Sequence, residues 1–302
     1  MIAAMSKVLD ELLVLLRLEQ IEQNLFRGQS QDLGWGAIFG GQVLGQALSA
    51  AARTVPPDRD VHSLHGYFLR QGDAAKPVVY EVDCIRDGKS FTTRRVVAIQ
   101  YGRAIFNLSA SFHREEPGFE HQAEMPEVVG PEGLIAETEI LRQLGDRLPG
   151  VLRNRAEADR PIEIRPVDPN DPLNPSPRPP QRAVWFRASG PLPDTPAAVH
   201  QYLLAYASDF HLLTTALQPH GVSWLSGRMQ MASLDHAMWF HRPFRLDDWL
   251  LYMIDSPNAR GARGLVRGQF FNRAGELVAS TVQEGLIRRW RQRDGEGDAS
   301  GA

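Results

Sequence analysis

The sequence has little cysteine, and it lacks both a long apolar run and a large excess of charge. Cys84 is the only cysteine among 302 residues, which excludes an internal disulfide and a zinc site built from several thiolates. A single cysteine in a chain of this length is typical of a reducing compartment. The apolar run Leu12–Leu16 has charged residues on both sides and is too short for a signal peptide or a membrane span. We therefore expect a cytoplasmic protein without a membrane span.

Charge is nearly balanced, with 33 Lys and Arg against 36 Asp and Glu and a formal net charge of -3. This balance argues against a protein whose main partner is nucleic acid, because phosphate neutralisation needs an excess of cations. Hydrophobic residues make up 43% and charged residues 23% of the chain, which is ordinary for a globular protein with a sizeable core. The length predicts two domains or one large domain.

Common catalytic and metal-binding motifs are missing. No G-x-S-x-G string occurs, so the nucleophile elbow of α/β-hydrolases is absent. Two histidine pairs have ligand-like spacing: His62 with His65, and His236 with His241. Neither pair has the nearby carboxylates or cysteines of a metal site, and we expect core or hydrogen-bonded histidines. The sequence therefore predicts neither a metal ion nor another cofactor.

Two helices are predicted in the first part of the chain. Apolar residues recur at helical spacing over 6–18, where Ser6 is a suitable N-cap. The segment Gly40–Arg53 is small and apolar on nearly every face, which predicts a helix that is buried on all sides. Gly41 and Gly45 would let a neighbouring element approach its backbone closely.

Strand patterns follow the buried helix. Four β-rich runs alternate with turn residues, at 61–70, 77–86, 91–100 and 104–112. One helix followed by four consecutive antiparallel strands predicts an α+β fold, and it argues against a Rossmann sheet because strands and helices do not alternate.

The composition changes between the two halves. Seven prolines fall within Pro166–Pro180, and this density excludes a helix or a central strand. We expect an extended, solvated connector there, preceded by a helix over Glu137–Arg155. The predicted domains are an N-terminal unit at 1–120, a proline-rich connector at 121–181, a C-terminal unit at 182–290 and a disordered tail at 291–302.

The second half repeats the pattern of the first. A helix is predicted over Ala197–Leu217, and strands are predicted at 228–241, 249–254, 263–272 and 276–289. His65–Arg70 aligns with His236–His241 at an offset of 171. A duplicated unit of one helix and four strands is therefore expected. Joining the two sheets edge to edge would cover strand edges that are otherwise exposed.

Three polar residues stand out in the second unit. Asp209 interrupts an apolar segment, so it is either a buried carboxylate with polar partners or, with Ser208, the cap of a helix that starts there. The repeat favours the cap, because the offset carries it to just before Gly40. Ser233 and Gln283 lie in strand patterns, where an ordinary strand serine and an outward-facing amide are the simplest interpretations.

The chain resembles the type II acyl-CoA thioesterases of bacteria and peroxisomes. The resemblance extends over about residues 6–290 and is carried by six segments: NLFRGQS at 24–30, FGGQVLGQAL at 39–48, HGYFLRQGD at 65–73, HQYLLAYASD at 200–209, LDHAMWFHRPF at 234–244 and STVQEG at 280–285. It implies a double hotdog fold, in which each of two sheets wraps a helix. It also implies hydrolysis of fatty acyl-CoA to fatty acid and coenzyme A.

The resemblance assigns a catalytic trio to Asp209, Ser233 and Gln283. Ser233 stands where the family usually has threonine, so the hydroxyl is kept and the stiffening methyl is lost. The trio implies a water that is oriented by Asp209, held by the other two side chains and directed at the thioester carbonyl. We expect the backbone N–H groups of Gly40 and Gly41 to bind the developing oxyanion. The first unit has no corresponding carboxylate or amide, which predicts one site per chain.

The sequence is also compatible with two other functions. One is a hotdog hydratase or dehydratase of enoyl thioesters, which needs a histidine in an acid–base pair; His211 lies two residues from Asp209 and should point elsewhere. The other is a catalytically weak acyl-CoA-binding protein, suggested by Ser233. Arg260, Arg263 and Arg267 are candidates for binding the coenzyme A phosphates. The resemblance also implies a homodimer or homotetramer.

Overall fold

A computed structural model describes residues 6–34, 36–148, 150, 153, 157–225 and 229–289. The predicted tail at 291–302 lies outside these residues, as do most of 149–156 and Arg228. The helices are α1 (Lys7–Leu16), α2 (Gly40–Ala52), α3 (Glu137–Leu144) and α4 (Ala197–Ala207), with short 3-10 helices at Pro131–Gly133, Gly145–Arg147 and Leu213–His220.

The described residues also form thirteen strands. They are β1 (Glu19–Glu22), β2 (Leu25–Gly28), β3 (Asp60–Phe68), β4 (Val78–Asp87), β5 (Phe91–Gln100), β6 (Arg103–His113), β7 (Ile162–Pro166), β8 (Gln181–Ala188), β9 (Met229–Ser233), β10 (Asp235–Phe240), β11 (Leu250–Arg260), β12 (Arg263–Asn272) and β13 (Leu277–Arg289).

The strands form one antiparallel sheet whose two halves mirror each other. Its order is β1-β2-β4-β5-β6-β3 followed by β10-β13-β12-β11-β8-β7, with β9 also paired to β13. The halves join where β3 pairs with β10, so Leu64 lies opposite Met238 at the centre of the sheet. The predicted duplication and edge-to-edge junction are therefore confirmed.

The helix α2 is buried on nearly all sides, as its composition predicts. Every residue from Gly41 to Ala51 is buried, since α2 packs between the sheet and α4. A Cβ atom added at Gly41 would lie 2.1 Å from the backbone oxygen of Tyr206, and one at Gly45 would lie 3.0 Å from that of Tyr202. The two glycines therefore allow α2 and α4 to pack antiparallel at close range.

The elements of the second half differ from the prediction in two places. The helix predicted to Leu217 ends at Ala207 with Ser208 as its C-cap, and the chain turns again at His211, which has a left-handed φ of 63°. The strand predicted over 228–241 is two strands, and the register with β13 shifts by one residue between Ser233 and Ala237. This shift is a β-bulge.

The offset of 171 misaligns the central strands by one residue. His236 is buried and points inward, whereas His65 is exposed and packs edge-on against Trp239. Burial instead matches His236 with Leu64, which is also fully buried. A one-residue register shift occurs in both halves, between Val61 and Ser63 on β3 and between Ser233 and Ala237 in the second half, so the offset of 171 follows similar residues and not matching faces of the strands.

The segment between the two sheets is more structured than a solvated connector. The helix α3 ends where Gly145 takes a positive φ of 47°, which is a common way to end a helix. β7 pairs with β8 at the edge of the sheet. The prolines that follow have no regular structure, and Pro169, Pro172 and Pro175 line a cavity together with α3.

Candidate active site

Asp209, Ser233 and Gln283 meet in one hydrogen-bonded group. The Ser233 hydroxyl donates to Asp209 Oδ1 at 3.4 Å. Gln283 Nε2 donates to Ser233 Oγ at 2.5 Å, and the amide of Gln283 also donates to the Asp209 carboxylate. These residues come from three separate places in the chain: the turn after α4, the end of β9 and the middle of β13.

Asp209 lies after the C-terminal end of α4 and faces the N-terminus of α2. The predicted cap of a following helix is wrong, since Ser208 closes α4 and no helix begins at Asp209. The backbone N–H of Gly41 donates to the carboxylate, and a Cβ at Gly40 would lie 2.6 Å from Asp209 Oδ2. The N-terminus of a helix stabilises an anion. The sequence thus predicts a helix N-terminus correctly but assigns the wrong helix.

The bulge at β9 and β10 brings Ser233 to the inner face of the sheet. Residues three apart in a regular strand face opposite sides, yet Ser233 and His236 both contact the inward-facing Gln283. Asp235 closes the bulge by accepting the backbone N–H of Glu284 at 2.6 Å. An aspartate inside a strand pattern is disfavoured, and it is the one sequence signal that indicates this irregularity.

Gln283 is fully buried, so the outward-facing amide expected from the strand pattern is wrong. Its Oε1 lies 2.9 Å from Nδ1 of His236, and His236 Nε2 lies 3.0 Å from the Ser208 hydroxyl. The sequence predicts hydrogen-bonded histidines in general terms but does not predict this group. Asp209 and Ser233 line the cavity, whereas Gln283 lies behind them.

Burial raises the pKa of Asp209 above its ordinary value. Desolvation disfavours the ionised carboxylate, and the nearby His236 and the donors from Gln283, Gly41 and Ser233 offset this only in part. Burial likewise lowers the pKa of His236, which keeps the ring neutral near pH 7. A carboxylate with a raised pKa is a stronger base than a solvated aspartate.

A cavity of about 590 Å³ opens beside Asp209 and Ser233. Apolar side chains line much of it, including Ile38, Phe39, Ile140, Leu141, Phe210, Leu213, Leu217, Val222, Trp224, Leu225, Met229 and Met231. Phe39 stacks on Phe210 with ring centroids 4.5 Å apart, which fixes the turn carrying Asp209 to the start of α2. The proline-rich segment at 166–176 forms another wall.

A second polar group that sequence reasoning missed lies on the same cavity wall. Glu137, at the start of α3, binds Arg160 at 2.8 Å and His211 Nε2 at 3.1 Å. Arg182 Nη1 lies 2.9 Å from the other ring nitrogen, Nδ1 of His211. Although burial opposes the shift, His211 and the two arginines lower the pKa of Glu137 to about 2. This network ties α3 to the turn that carries Asp209.

The arginines suggested for coenzyme A lie around the turn between β11 and β12. Arg263 pairs with Glu284 at 3.0 Å and Arg267 pairs with Asp255 at 2.6 Å. Neither these two nor Arg260 is among the described residues that line the cavity. Their role in phosphate binding stays a prediction.

None of the helices in the described ranges has the length and apolar character that crossing a bilayer requires. Two family models match the chain. The model described as acyl-CoA thioesterase N-terminal domain matches residues 30–113, and the model described as acyl-CoA thioesterase matches residues 151–286.

Similar proteins are found in bacteria and mammals. Acyl-CoA thioesterase 2 of Haemophilus influenzae is 46% identical over 284 residues, covering 94% of this chain and 99% of that protein. Human acyl-coenzyme A thioesterase 8 is 44% identical over 281 residues, covering 90% of this chain and 87% of that protein.

Similar proteins are also found among solved structures. The acyl-CoA thioesterase II TesB2 from Mycobacterium marinum is 45% identical, covers 92% of this chain and 98% of its own, and superposes with a TM-score of 0.74. A hotdog-fold protein from Alicyclobacillus acidocaldarius is only 18% identical but has a TM-score of 0.72 over 92% of this chain and 98% of its own. It shares the fold, and the predicted double hotdog is confirmed. With its helix pair, its mirrored sheet and these relatives, the chain belongs to the acyl-CoA thioesterase family.

Proposed function

We propose that this thioester hydrolase cleaves fatty acyl-CoA with a water molecule held beside Asp209 and Ser233. The observation that carries the proposal is a carboxylate and a hydroxyl in contact at the wall of a largely apolar cavity. The cavity offers the acyl chain an apolar environment, and the carboxylate supplies the base that water needs at neutral pH.

The reaction requires one proton transfer in each direction. Asp209 takes a proton as the water oxygen adds to the thioester carbonyl carbon. The carbon–sulfur bond then breaks, and the protonated carboxyl returns its proton to the sulfur of coenzyme A. Direct attack of water leaves no covalent acyl-enzyme, so no nucleophilic side chain is needed.

Gln283 supports the reaction from behind the two residues that face the cavity. Its amide donates to both Asp209 and Ser233, and its own side chain is buried. We therefore assign it to orienting the carboxylate and the hydroxyl in this unliganded arrangement, which modifies the expectation that it holds the water itself. Orientation of this kind contributes strongly to catalysis when reacting groups must meet at short range.

The N-terminus of α2 is proposed to bind the oxyanion. The first N–H groups of a helix have no partner within the helix, and those of Gly40 and Gly41 lie beside Asp209. Since Gly41 donates to the carboxylate, we assign the N–H of Gly40 as the main oxyanion donor. Donors that are fixed before the reaction stabilise the developing charge most effectively.

The hydratase alternative is not favoured. That chemistry needs a histidine that reaches the substrate, but both ring nitrogens of His211 are occupied by Glu137 and Arg182. His236 is buried behind Gln283 and Ser208.

The proposal also includes the location of the enzyme, its oligomeric state and its domain boundaries. The single cysteine supports a cytoplasmic location, and the family resemblance supports a homodimer or homotetramer. Light scattering coupled to gel filtration tests the assembly, and a monomeric mass at micromolar concentration would contradict it. We retain the predicted units at 1–120 and 182–290, joined by the segment at 121–181.

Release of free coenzyme A thiol from acyl-CoAs of increasing chain length tests the function. We expect wild-type turnover and a loss of about 10³-fold in kcat for Asp209→Asn, because the amide cannot accept the proton. Asp255→Asn is the matched control, since it changes an ion-paired carboxylate elsewhere on the sheet and should leave kcat unchanged. Turnover that survives in Asp209→Asn would move the base elsewhere, and no turnover with any chain length would refute the hydrolase.

A further inference from the structure

His236 is a buried histidine that the proposed reaction does not use directly. It exposes 1% of its surface, and both of its ring nitrogens have partners: Nδ1 lies 2.9 Å from Gln283 Oε1, and Nε2 lies 3.0 Å from Ser208 Oγ. A ring held at both nitrogens has a fixed position and a fixed tautomer.

The side-chain amide of Gln283 can take two orientations, and only one of them points its NH₂ group toward Asp209 and Ser233. Its NH₂ group donates to Ser233 and Asp209, which leaves Oε1 in need of a donor. The N–H at Nδ1 of His236 is that donor. If the amide turned over, its oxygen would face the ionised carboxylate and its NH₂ would face the ring N–H, and both contacts would be repulsive.

Ser208 holds the other side of the imidazole. Because Nδ1 donates to Gln283, Nε2 of the neutral imidazole must accept, and the Ser208 hydroxyl at that nitrogen shares its one hydrogen between Nε2 and the carbonyl oxygen of Ala205, which lies at 2.9 Å. Ser208 directly precedes Asp209 in the chain. The hydrogen bonds therefore form a closed circuit, which runs from Asp209 through Gln283, His236 and Ser208 back to the turn that carries the carboxylate.

The first half of the sheet shows which residues the fold alone requires at the positions that correspond to His236 and Gln283. Leu64 and Ala110 are directly paired on β3 and β6 and are fully buried, and they match His236 and Gln283 on β10 and β13. An apolar pair therefore satisfies the packing of this fold. The polar pair occurs only in the half that contains Asp209.

We propose that His236 is a positioning residue, held by Ser208, that fixes the Gln283 amide with its NH₂ group toward Asp209 and Ser233. The inference rests on the proposed function, because it assigns His236 a role in the same reaction. His236 acts through Gln283 alone and does not touch the substrate.

A double-mutant cycle on the thiol-release reaction tests this role. The replacements follow the first half of the sheet: His236→Leu, Gln283→Ala and the double variant. We expect Gln283→Ala to lower kcat about 100-fold and His236→Leu to lower it at least tenfold, each with KM within about twofold, since neither residue lines the cavity. The double variant should match Gln283→Ala, because His236 has no role once the amide is gone.

A second variant keeps the test decisive if His236→Leu fails to fold. His236→Asn places an amide N–H near the former Nδ1 and should recover kcat to within about fivefold of wild type, whereas His236→Gln reaches toward the Nε2 position and should not. His241→Leu is the matched control, because His241 follows the same strand but is exposed and contacts Ser280; its kcat should be unchanged.

The outcomes separate the inference from the proposed function. Additive losses in the cycle, or equal kcat in the Asn and Gln variants at equal thermal stability, would show a purely structural role and overturn the inference while wild-type turnover stands. Absence of wild-type turnover would refute the proposed function and the inference with it. Non-additive losses together with recovery in His236→Asn support the positioning role.

Discussion

The antiparallel pair of α2 and α4 has two ends with similar architecture and different chemistry. At one end, α2 begins with Gly40 and Gly41, and the turn after α4 brings Asp209 against them. At the other end, α4 begins with Ala197 and Ala198, so its first two residues carry methyl groups. The glycine end leaves room for an anion beside the first N–H groups of a helix.

The turns that follow the two helices differ as well. After α2, Arg53 donates to the carbonyl of Leu18 at 2.6 Å, and the buried Arg94 binds both the hydroxyl and the carbonyl of Thr54. This end is therefore closed by arginines, and the carboxylate of Asp87 near it is paired with Arg94 at 2.7 Å. We call the end with Asp209, Gly40 and Gly41 the reactive end and the end with Arg53 and Arg94 the closed end. The residues at each end, and not the fold, determine this difference.

The largest effect is expected from Glu137, which fixes the turn at the reactive end. Its folded pKa of about 2 lies below the ordinary 4.5, so its ionisation stabilises the fold above pH 4.5, and this contribution is lost as the pH falls toward 2. We expect Glu137→Gln to lower the free energy of unfolding by about 3 kcal/mol at pH 7 and by much less near pH 2.

Urea unfolding of wild type and variant at both pH values measures this difference. Glu139→Gln is the matched control, because Glu139 lies on the same helix but is half exposed and should cost little at either pH. A loss in Glu137→Gln that is equal at the two pH values would contradict an origin in the ionised carboxylate.

The comparison of the two ends also explains what the sequence can and cannot predict. Alternation and turn residues predict the central strands, and the small residues of α2 predict its burial and the close approach of a neighbouring element. The outer strands β1, β2, β7 and β8 are not predicted, because β1, β2 and β7 have only four or five residues and β8 does not alternate between buried and exposed residues. Apolar character likewise continues past Ala207 although the helix ends there, since the 3-10 helix that follows also packs inward.

Details of the active site depend on contacts that spacing does not reveal. The offset of 171 is one residue away from the match by burial, because similar residues can align out of step with the inward-facing positions of a strand. Asp209 lies at the N-terminus of α2 only because the two helices pack antiparallel. Pairing across the helix interface, rather than the repeat itself, therefore determines the partner of the carboxylate.

Gly40→Ala is expected to reduce activity at the reactive end by an intermediate amount. The new methyl group would lie 2.6 Å from Asp209 Oδ2, so the carboxylate must move, and a displacement below 1 Å should lower kcat by about tenfold or more. The bond from the Gly41 N–H lowers the pKa of Asp209. Weakening this bond should raise that pKa, and the acidic limb of the pH–rate profile should move to higher pH.

The pH–rate profiles of Gly40→Ala and wild type, measured with one acyl-CoA, test this prediction. Gly133→Ala is the control for the substitution itself, because no atom lies within 4 Å of the added Cβ atom. An acidic limb that stays in place or moves to lower pH would argue against contact between the helix N-terminus and the carboxylate that acts as base.

The smallest effect is expected at the closed end, where Arg53→Ala should leave kcat and KM within about twofold of wild type. Arg53 is exposed and its loss removes a hydrogen bond to Leu18, which should cost about 1 kcal/mol of stability. Calorimetric titration of both proteins with a non-hydrolysable thioether analogue of acyl-CoA should give one site per chain. Two equivalent sites, or a large loss of activity in Arg53→Ala, would mean that the closed end also binds substrate. Unchanged turnover with one site per chain would instead restrict the chemistry to the end where Asp209 meets Gly40 and Gly41.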